Sequence, residues 1–394
     1  MGALCKILKP DEYRVTMQKT RTLHILIYVL DFRFRKIAEL SGIILDGSTY
    51  SVDATSDIRR TCNLTIIPTS SDFDVSSNSN IWIDKYVQIQ VGIEDIENKN
   101  KIVYSNLGVY LINNPSRVYS ATNHQLTISG IDLMAKLTGM RNGYLSGTVG
   151  GIEYQIPANS DIKGAIKSSF ALGGFQNVCI SDIEPTSTVP NDITISVGSS
   201  IYSMLKELVE INAFYQMYFD VNGIPYVNKI PTGDTEPIMV DDEIWSKTLM
   251  QYNRDISFEE VKNTIEVYGK TLDDGTTPYA IAQDINPFSP FYVNGSAGTI
   301  RIVLSGGEYE NIYTTSLAQQ RANYELYLRC RLQDQITITT VPIYWLDVNW
   351  LVEITLPNKQ GIEETEQYVI KKIDTNVGIN GTQTITLMKY YPVE

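Results

Sequence analysis

Apolar and polar positions alternate with a period of two over much of the chain, the pattern of strands that bury one face. Val87-Gln88-Ile89-Gln90-Val91 sets three aliphatic side chains on one side. Gly108 to Ile112, Leu126-Thr127-Ile128, Ile336-Thr337-Ile338-Thr339, Tyr368 to Ile373 and Thr384 to Met388 continue the series, as do Trp350, Val352, Ile354 and Leu356. Leu23 to Leu30 is a nearly unbroken apolar run and predicts a strand buried on both faces.

Helical spacing interrupts this pattern in four places. A short helix opens near Asp132, buries Leu133 and Leu137, and stops at Gly139. Ile162, Ile166 and Phe170 fall at i, i+4, i+8 before Gly173-Gly174, and a helix from near Ser199 carries Ile201, Met204, Leu205, Leu208 and Val209 on one stripe. From about Ser316 to Cys330, Ala318, Ala322 and Leu326 share a side, Leu317 and Leu328 flank it, and Gln319, Gln320 and Asn323 face away. Within Tyr218 to Tyr226, Asn222-Gly223 predicts a tight hairpin turn with positive φ angles. Asp273 to Gly298, rich in Gly, Pro and Asp, reads as a loop excursion.

One order of elements occurs twice. Trp82-Ile83-Asp84 precedes Val87 to Val91, as Trp345-Leu346-Asp347 precedes Val352-Glu353-Ile354-Thr355-Leu356. An acidic turn follows each (Glu94 to Glu97; Glu363 to Glu366), then a strand, then a Thr-bearing strand (Leu126-Thr127-Ile128; Ile385-Thr386-Leu387). Duplication is the simplest account. The chain therefore reads as mainly β with an α+β insertion: a polar leader at 1–20, a first β-barrel domain at 21–145, a small α+β domain at 146–238, and a second, similar barrel at 239–394 with the excursion at about 271–299.

Composition narrows the function. The 394 residues exceed one compact core, and 25 tyrosines suit half-buried strand surfaces and interfaces. A net charge of −13 without a basic stripe excludes stable nucleic-acid binding; Arg33, Arg35 and Lys36 are too short a cluster. Cys5, Cys62, Cys179 and Cys330 lie far apart, as reduced thiols of a protein assembled in a reducing cytoplasm, three of them buried. No myristoylation or signal-peptide pattern opens the chain, and Leu23 to Leu30 is far short of the roughly 20 residues that cross a bilayer, so no membrane anchor is expected.

Candidate chemistry is sparse. His24 sits in the apolar run and reads as a core or interface histidine; His124 is the other, and no G-x-S-x-G elbow accompanies either. Gly143, Gly147, Gly150 and Gly151 lack the Lys-Ser/Thr of a phosphate loop and read as a flexible connector. Asp220-Val221-Asn222-Gly223 lacks the third carboxylate and distal Glu of a calcium loop, and Asp273-Asp274-Gly275 is an ordinary turn. No catalytic, cofactor-binding or metal-ligating residue is nominated, no cofactor is expected, and the chain reads as a non-enzyme. An unmarked carboxylate pair of a wall hydrolase stays a third choice, behind a cell-wall or glycan-binding protein.

Val52-Asp53-Ala54-Thr55-Ser56-Asp57-Ile58-Arg59-Arg60-Thr61 resembles the ladder-opening segment of phage tail hub (baseplate hub) proteins of long-tailed phages and phage-like injection particles. Ile128 to Leu137, where a strand feeds a short helix, is similar too, as are Ala318 to Leu326 and Pro342-Ile343-Tyr344-Trp345-Leu346-Asp347 to that family's second barrel. The resemblance covers about residues 22–394. It implies tail-tube-like barrels and a structural homotrimer that continues a six-fold tail tube into a three-fold tip and forms part of the DNA channel. The implied partners are the tube or distal tail protein, a spike or fibre-bearing tip protein and the tape-measure protein, and the implied location is the virion tail tip. The sequence ends just after the second barrel, so wall-cutting or receptor binding is expected in another chain.

Overall fold

Strong alternation becomes strand. The first set comprises β1 (Leu23–Leu30), β2 (Lys36–Leu40), β3 (Gly42–Ile44), β4 (Ser48–Asp53), β5 (Arg60–Pro68), β6 (Tyr86–Glu94), β7 (Ile102–Tyr119) and β8 (His124–Ile131). A computed structural model describes residues 10–391 apart from 41, 45–46, 69–73, 78, 99–100, 121–123, 146–153, 185, 197, 213, 234–235, 273, 358–360, 362 and 379. Part of the leader folds. Helix α1 (Pro10–Thr16) buries Val15 and Thr16, and Thr16 accepts a hydrogen bond from the Trp345 indole at 2.9 Å. Strand β1 is buried at Ile27, Val29 and Leu30 and only half-buried from Leu23 to Leu26, so its burial is less complete than expected.

The expected α+β insertion follows: β9 (Tyr154–Ile156), α2 (Ile162–Leu172), β10 (Cys179–Ile180), β11 (Ile193–Ile195), α3 (Ile201–Glu210), β12 (Tyr215–Phe219) and β13 (Pro225–Lys229). Asp161 and Ser200 cap the two helices by accepting the Gly164 and Ser203 N–H. Both predicted apolar stripes are buried, in a core shared with Leu30, Tyr86, Val109 and Leu111 of the first strand set and with Leu133 just after it. In the β12–β13 hairpin Gly223 alone has positive φ, because the Asp220 carboxylate accepts the Asn222 and Ile224 N–H groups and sets a different turn from the primed one expected.

After α4 (Asp242–Thr248) and β14 (Leu249–Ser257), a separate three-stranded sheet forms from β15 (Thr264–Tyr268), β16 (Tyr279–Gln283) and β17 (Arg301–Leu304). Helix α5 (Thr315–Arg329) covers it, and Ala280, Ala282, Ala318 and Ala322 make a tight contact layer. The excursion at about 271–299 thus contains a strand. Alternation between alanine and larger residues gave it too weak an apolar period to read.

Strands β18 (Gln333–Thr340), β19 (Leu351–Pro357), β20 (Glu363–Val377) and β21 (Gln383–Lys389) complete the chain. The large sheet runs β14-β18-β21-β20-β4-β5-β8-β7-β6-β1-β2, with β19 also on β20 and β3 on β5, antiparallel throughout. The β4–β20 pairing joins the two strand sets, and a single apolar core spans both. Two separate barrels were expected; the two sets instead share one sheet, and in the first the ladder turns back on itself, β2 pairing with β1 and β3, one residue further on, with β5. Periodicity reports which face of a strand is buried, not which strand lies beside it.

Candidate assembly interface

The two strand sets repeat one ladder. In the first, the order is β6-β7-β8-β5-β4; in the second it is β19-β20-β21-β18-β14. The registers agree as well. Ile128 faces Leu64 and Pro115, as Ile385 faces Ile338 and Ile373. Both long strands carry an irregularity at the same point, between Ile112 and Asn114 and between Ile370 and Lys372. Counting outward, Val87 opposite Tyr110 matches Val352 opposite Tyr368, and both tyrosines are buried. Bulges pin register, so their coincidence is strong evidence of a duplicated unit. The preceding motifs are less alike: Trp345 packs against Trp350 and α1, whereas Trp82 is exposed.

Along β4, β5, β8, β18, β21 and the C-terminal half of β20, one face is core and the other is mostly small and polar, with Ile67, Ile131 and Met388 at the strand ends. Tyr50, Val52, Cys62, Leu64, Leu126, Ile128, Ile336, Ile338, Ile373, Ile385 and Leu387 point inward. The opposite face carries Thr49, Ser51, Asn63, Thr65, Thr127, Ser129, Thr337, Thr339, Lys372, Asp374, Thr384 and Thr386. Neighbours satisfy one another: Ser51 donates to Asp374 at 2.6 Å, Ser129 to Asn63 at 3.2 Å, and Thr65 and Thr127 hydroxyls meet at 3.2 Å.

A buried ionic knot fixes how the two sets sit. Arg60, at the start of β5, donates to the Asp347 carboxylate at 2.6 Å, with both side chains inside the protein. Its backbone N–H donates to Asp132, which also accepts the Met134 N–H and caps a 3₁₀ turn, Leu133–Lys136. Burial pushes the Asp132 carboxyl up to about 6. Arg59 stacks over Tyr218 and donates to Gln216, so the same corner grips the β12–β13 hairpin. Lys371, the extra residue at the β20 irregularity, reaches Asn349 at 3.4 Å; burial, with Arg331 and Arg59 nearby, pushes its amine down to about 8.

The residues singled out for chemistry stay apart. His24 pairs with Glu94 at 2.7 Å on the half-exposed part of β1, and His124 accepts from Arg117 at the end of β7. Cys62 is buried, with its thiol pushed up to about 12, whereas Cys179 is exposed and Cys330 half-buried; Cys5 lies outside the described residues. Fewer cysteines are buried than expected. Arg33 and Arg35 belong to a turn whose N–H groups Asp31 accepts. Asp274 similarly accepts the Thr276 N–H. Of the glycine connector, Gly147 to Gly151 lie outside the described residues; Gly143 has φ 108, and a Cβ there would come within 2.6 Å of the Leu137 backbone. Among the described residues no three His, Cys, Asp or Glu side chains converge to hold a metal, and no helix is long and apolar enough to cross a membrane. Sequence reading singled out the segments holding Arg60, Asp132 and Asp347 without assigning them a role, and it missed Lys371.

Residues 288–393 match the family described as "Domain of unknown function (DUF5048)". No curated protein matches the sequence. Among solved structures, the 43 kDa tail protein of prophage MuSo2 from Shewanella oneidensis is 12% identical with a TM-score of 0.61, covering 93% of this chain and 98% of that one. A tail protein from Neisseria meningitidis MC58 is 11% identical with a TM-score of 0.59, covering 93% and 96%. The E. coli c3393 protein, a component of the type VI secretion system described as similar to T4 tail proteins gp27 and gp5, is 9% identical with a TM-score of 0.51, covering 94% and 77%. At these identities the likeness is one of architecture, and the chain has the fold of phage tail proteins.

Proposed function

We propose that this chain is a non-enzymatic structural protein of the virion tail tip, the trimeric hub that joins a six-fold tail tube to a three-fold tip and lines part of the DNA channel. The observation that carries this reading is the ladder repeated in order and register within one chain. Three copies then present six similar surfaces, which is what a six-fold tube requires of a three-fold adaptor. The polar face of the ladder suits a lumen, being rich in hydroxyls and amides and poor in cations. Residues 21–145 and 239–394 form the two tube-like units and 146–238 the α+β domain, with the tube or distal tail protein, a spike or fibre-bearing protein and the tape-measure protein as partners and the host cytoplasm as the place of assembly.

Light scattering and negative-stain images of the purified full-length chain test the reading. The expected particle holds three copies in a hollow ring with six similar lobes. A dimer, or six copies each giving one lobe, contradicts it; elongated monomers would instead favour a glycan-binding tip protein.

A further inference from the structure

Within one chain, β4 of the first unit pairs with the C-terminal half of β20 in the second, from Lys372 opposite Asp53 to Val377 opposite Ser48. The duplicated register names the counterparts of both strands. Asn114–Tyr119 of β7 corresponds to Lys372–Val377, and Tyr252–Ser257 of β14 corresponds to Ser48–Asp53. These counterparts are not partners in the chain. β6 pairs with β7 only as far as Leu111, and β14 pairs with β18 alone, so among the described strands both face outward as open edges. Both are exposed along nearly their whole length, including Val118, Tyr119, Tyr252 and Ile256.

We infer that β14 of one copy pairs antiparallel with Asn114–Tyr119 of the next copy, repeating between chains the joint that β4 and β20 make within each. Transferring the register sets Ser116 opposite Asp255, Pro115 opposite Ile256, and Tyr119 opposite Tyr252. The first pair repeats the chemistry of the intrachain joint with the roles exchanged: there Ser51 on β4 donates to Asp374 on β20 at 2.6 Å. The third pair brings two exposed tyrosines together as a cross-strand aromatic contact. Arg117 meets Arg254, and each keeps a carboxylate of its own: Asp74 at 2.7 Å for Arg117, and Asp334 with Glu366 for Arg254. Pro115 removes at most one donor from the ladder. The contact is head-to-tail, and with the three copies of the hub reading it closes into a ring to which each copy contributes one internal and one external joint.

This inference rests on the hub reading, and the test separates the two. Ser116→Cys and Asp255→Cys are placed in the full-length chain together and singly, and mild oxidation is followed on non-reducing gels beside light scattering. Directly opposed positions of an antiparallel pair bring Cβ atoms within about 5.5 Å, a spacing a disulfide spans. The double variant is expected to give covalent dimers and trimers well above either single variant, and Ser116→Cys with Asn253→Cys, offset by two residues, to give fewer. Trimers without such linkage would overturn the joint and leave the hub reading standing. A monomer at every concentration would overturn both.

Discussion

Asp132 concentrates three tasks in one carboxylate: it caps a 3₁₀ turn, accepts the N–H that opens β5, and lies close to the Arg60–Asp347 pair. Asp132→Ala should cost about 2–4 kcal/mol, since it removes a cap and strands a buried N–H, and urea denaturation would show it. Lys371 works in the other direction. Its amine is held at about 8, against an ordinary value of 10.5, by burial and neighbouring arginines. Between those values the unfolded chain binds a proton that the folded chain lacks, so rising pH favours the fold through this group. Lys371→Met should therefore stabilise the protein at pH 7 by about 1–3 kcal/mol, with the advantage shrinking as pH climbs from 8 towards 10.5. Parallel denaturation of wild type and variant across that range checks the sign. Neither residue's role was visible in the sequence: Arg60, Asp132 and Asp347 are far apart in the chain, and a lysine in a strand ordinarily marks a solvated face.

Elements whose buried face lies within the chain were legible; those whose partner is weak or absent were not. Ile162, Ile166 and Phe170, and the stripe from Ile201 to Val209, read as helices because each presents a large apolar face to a real core. β16 hid because its buried side chains are alanines, and β14 because Met250, Tyr252 and Ile256 have no core to face in a single copy. The same contrast separates two substitutions. Ile354 is fully buried on β19, so Ile354→Lys buries an unpaired charge and should cost about 3–5 kcal/mol. Ile256 is 37% exposed on the β14 edge, so Ile256→Lys should leave the melting temperature of the monomer nearly unchanged while weakening trimer formation. Thermal melts paired with light scattering distinguish a folding defect from an assembly defect. If Ile256→Lys unfolds the chain instead, β14 is part of the core and not an edge.

At the scale of the whole molecule, charge and sheet parity act together. The chain is strongly acidic, with a net charge of −13, yet the polar face of the ladder is not an acidic wall. By strand alternation its charged side chains are Asp53, Asp374 and Lys372, joined by Asp255 on the adjoining β14 edge, and Lys372 pairs with Asp374 at 2.9 Å. On the hub reading, that face meets DNA with hydroxyls, amides and a small negative excess. Phosphates are then held off within about a Debye length, ~8 Å at physiological salt, and find no cluster of cations on which to release counterions. The assembled ring should accordingly retain duplex DNA weakly and with little dependence on salt. Asp53→Lys, Asp255→Lys and Asp374→Lys together reverse the sign of the face in every copy, and should produce tight binding that falls steeply as salt rises. Filter binding between 50 and 200 mM salt measures both. Steep, salt-sensitive binding by the unmodified ring would mean that another, cationic surface faces the channel, and that the polar face of the ladder looks elsewhere.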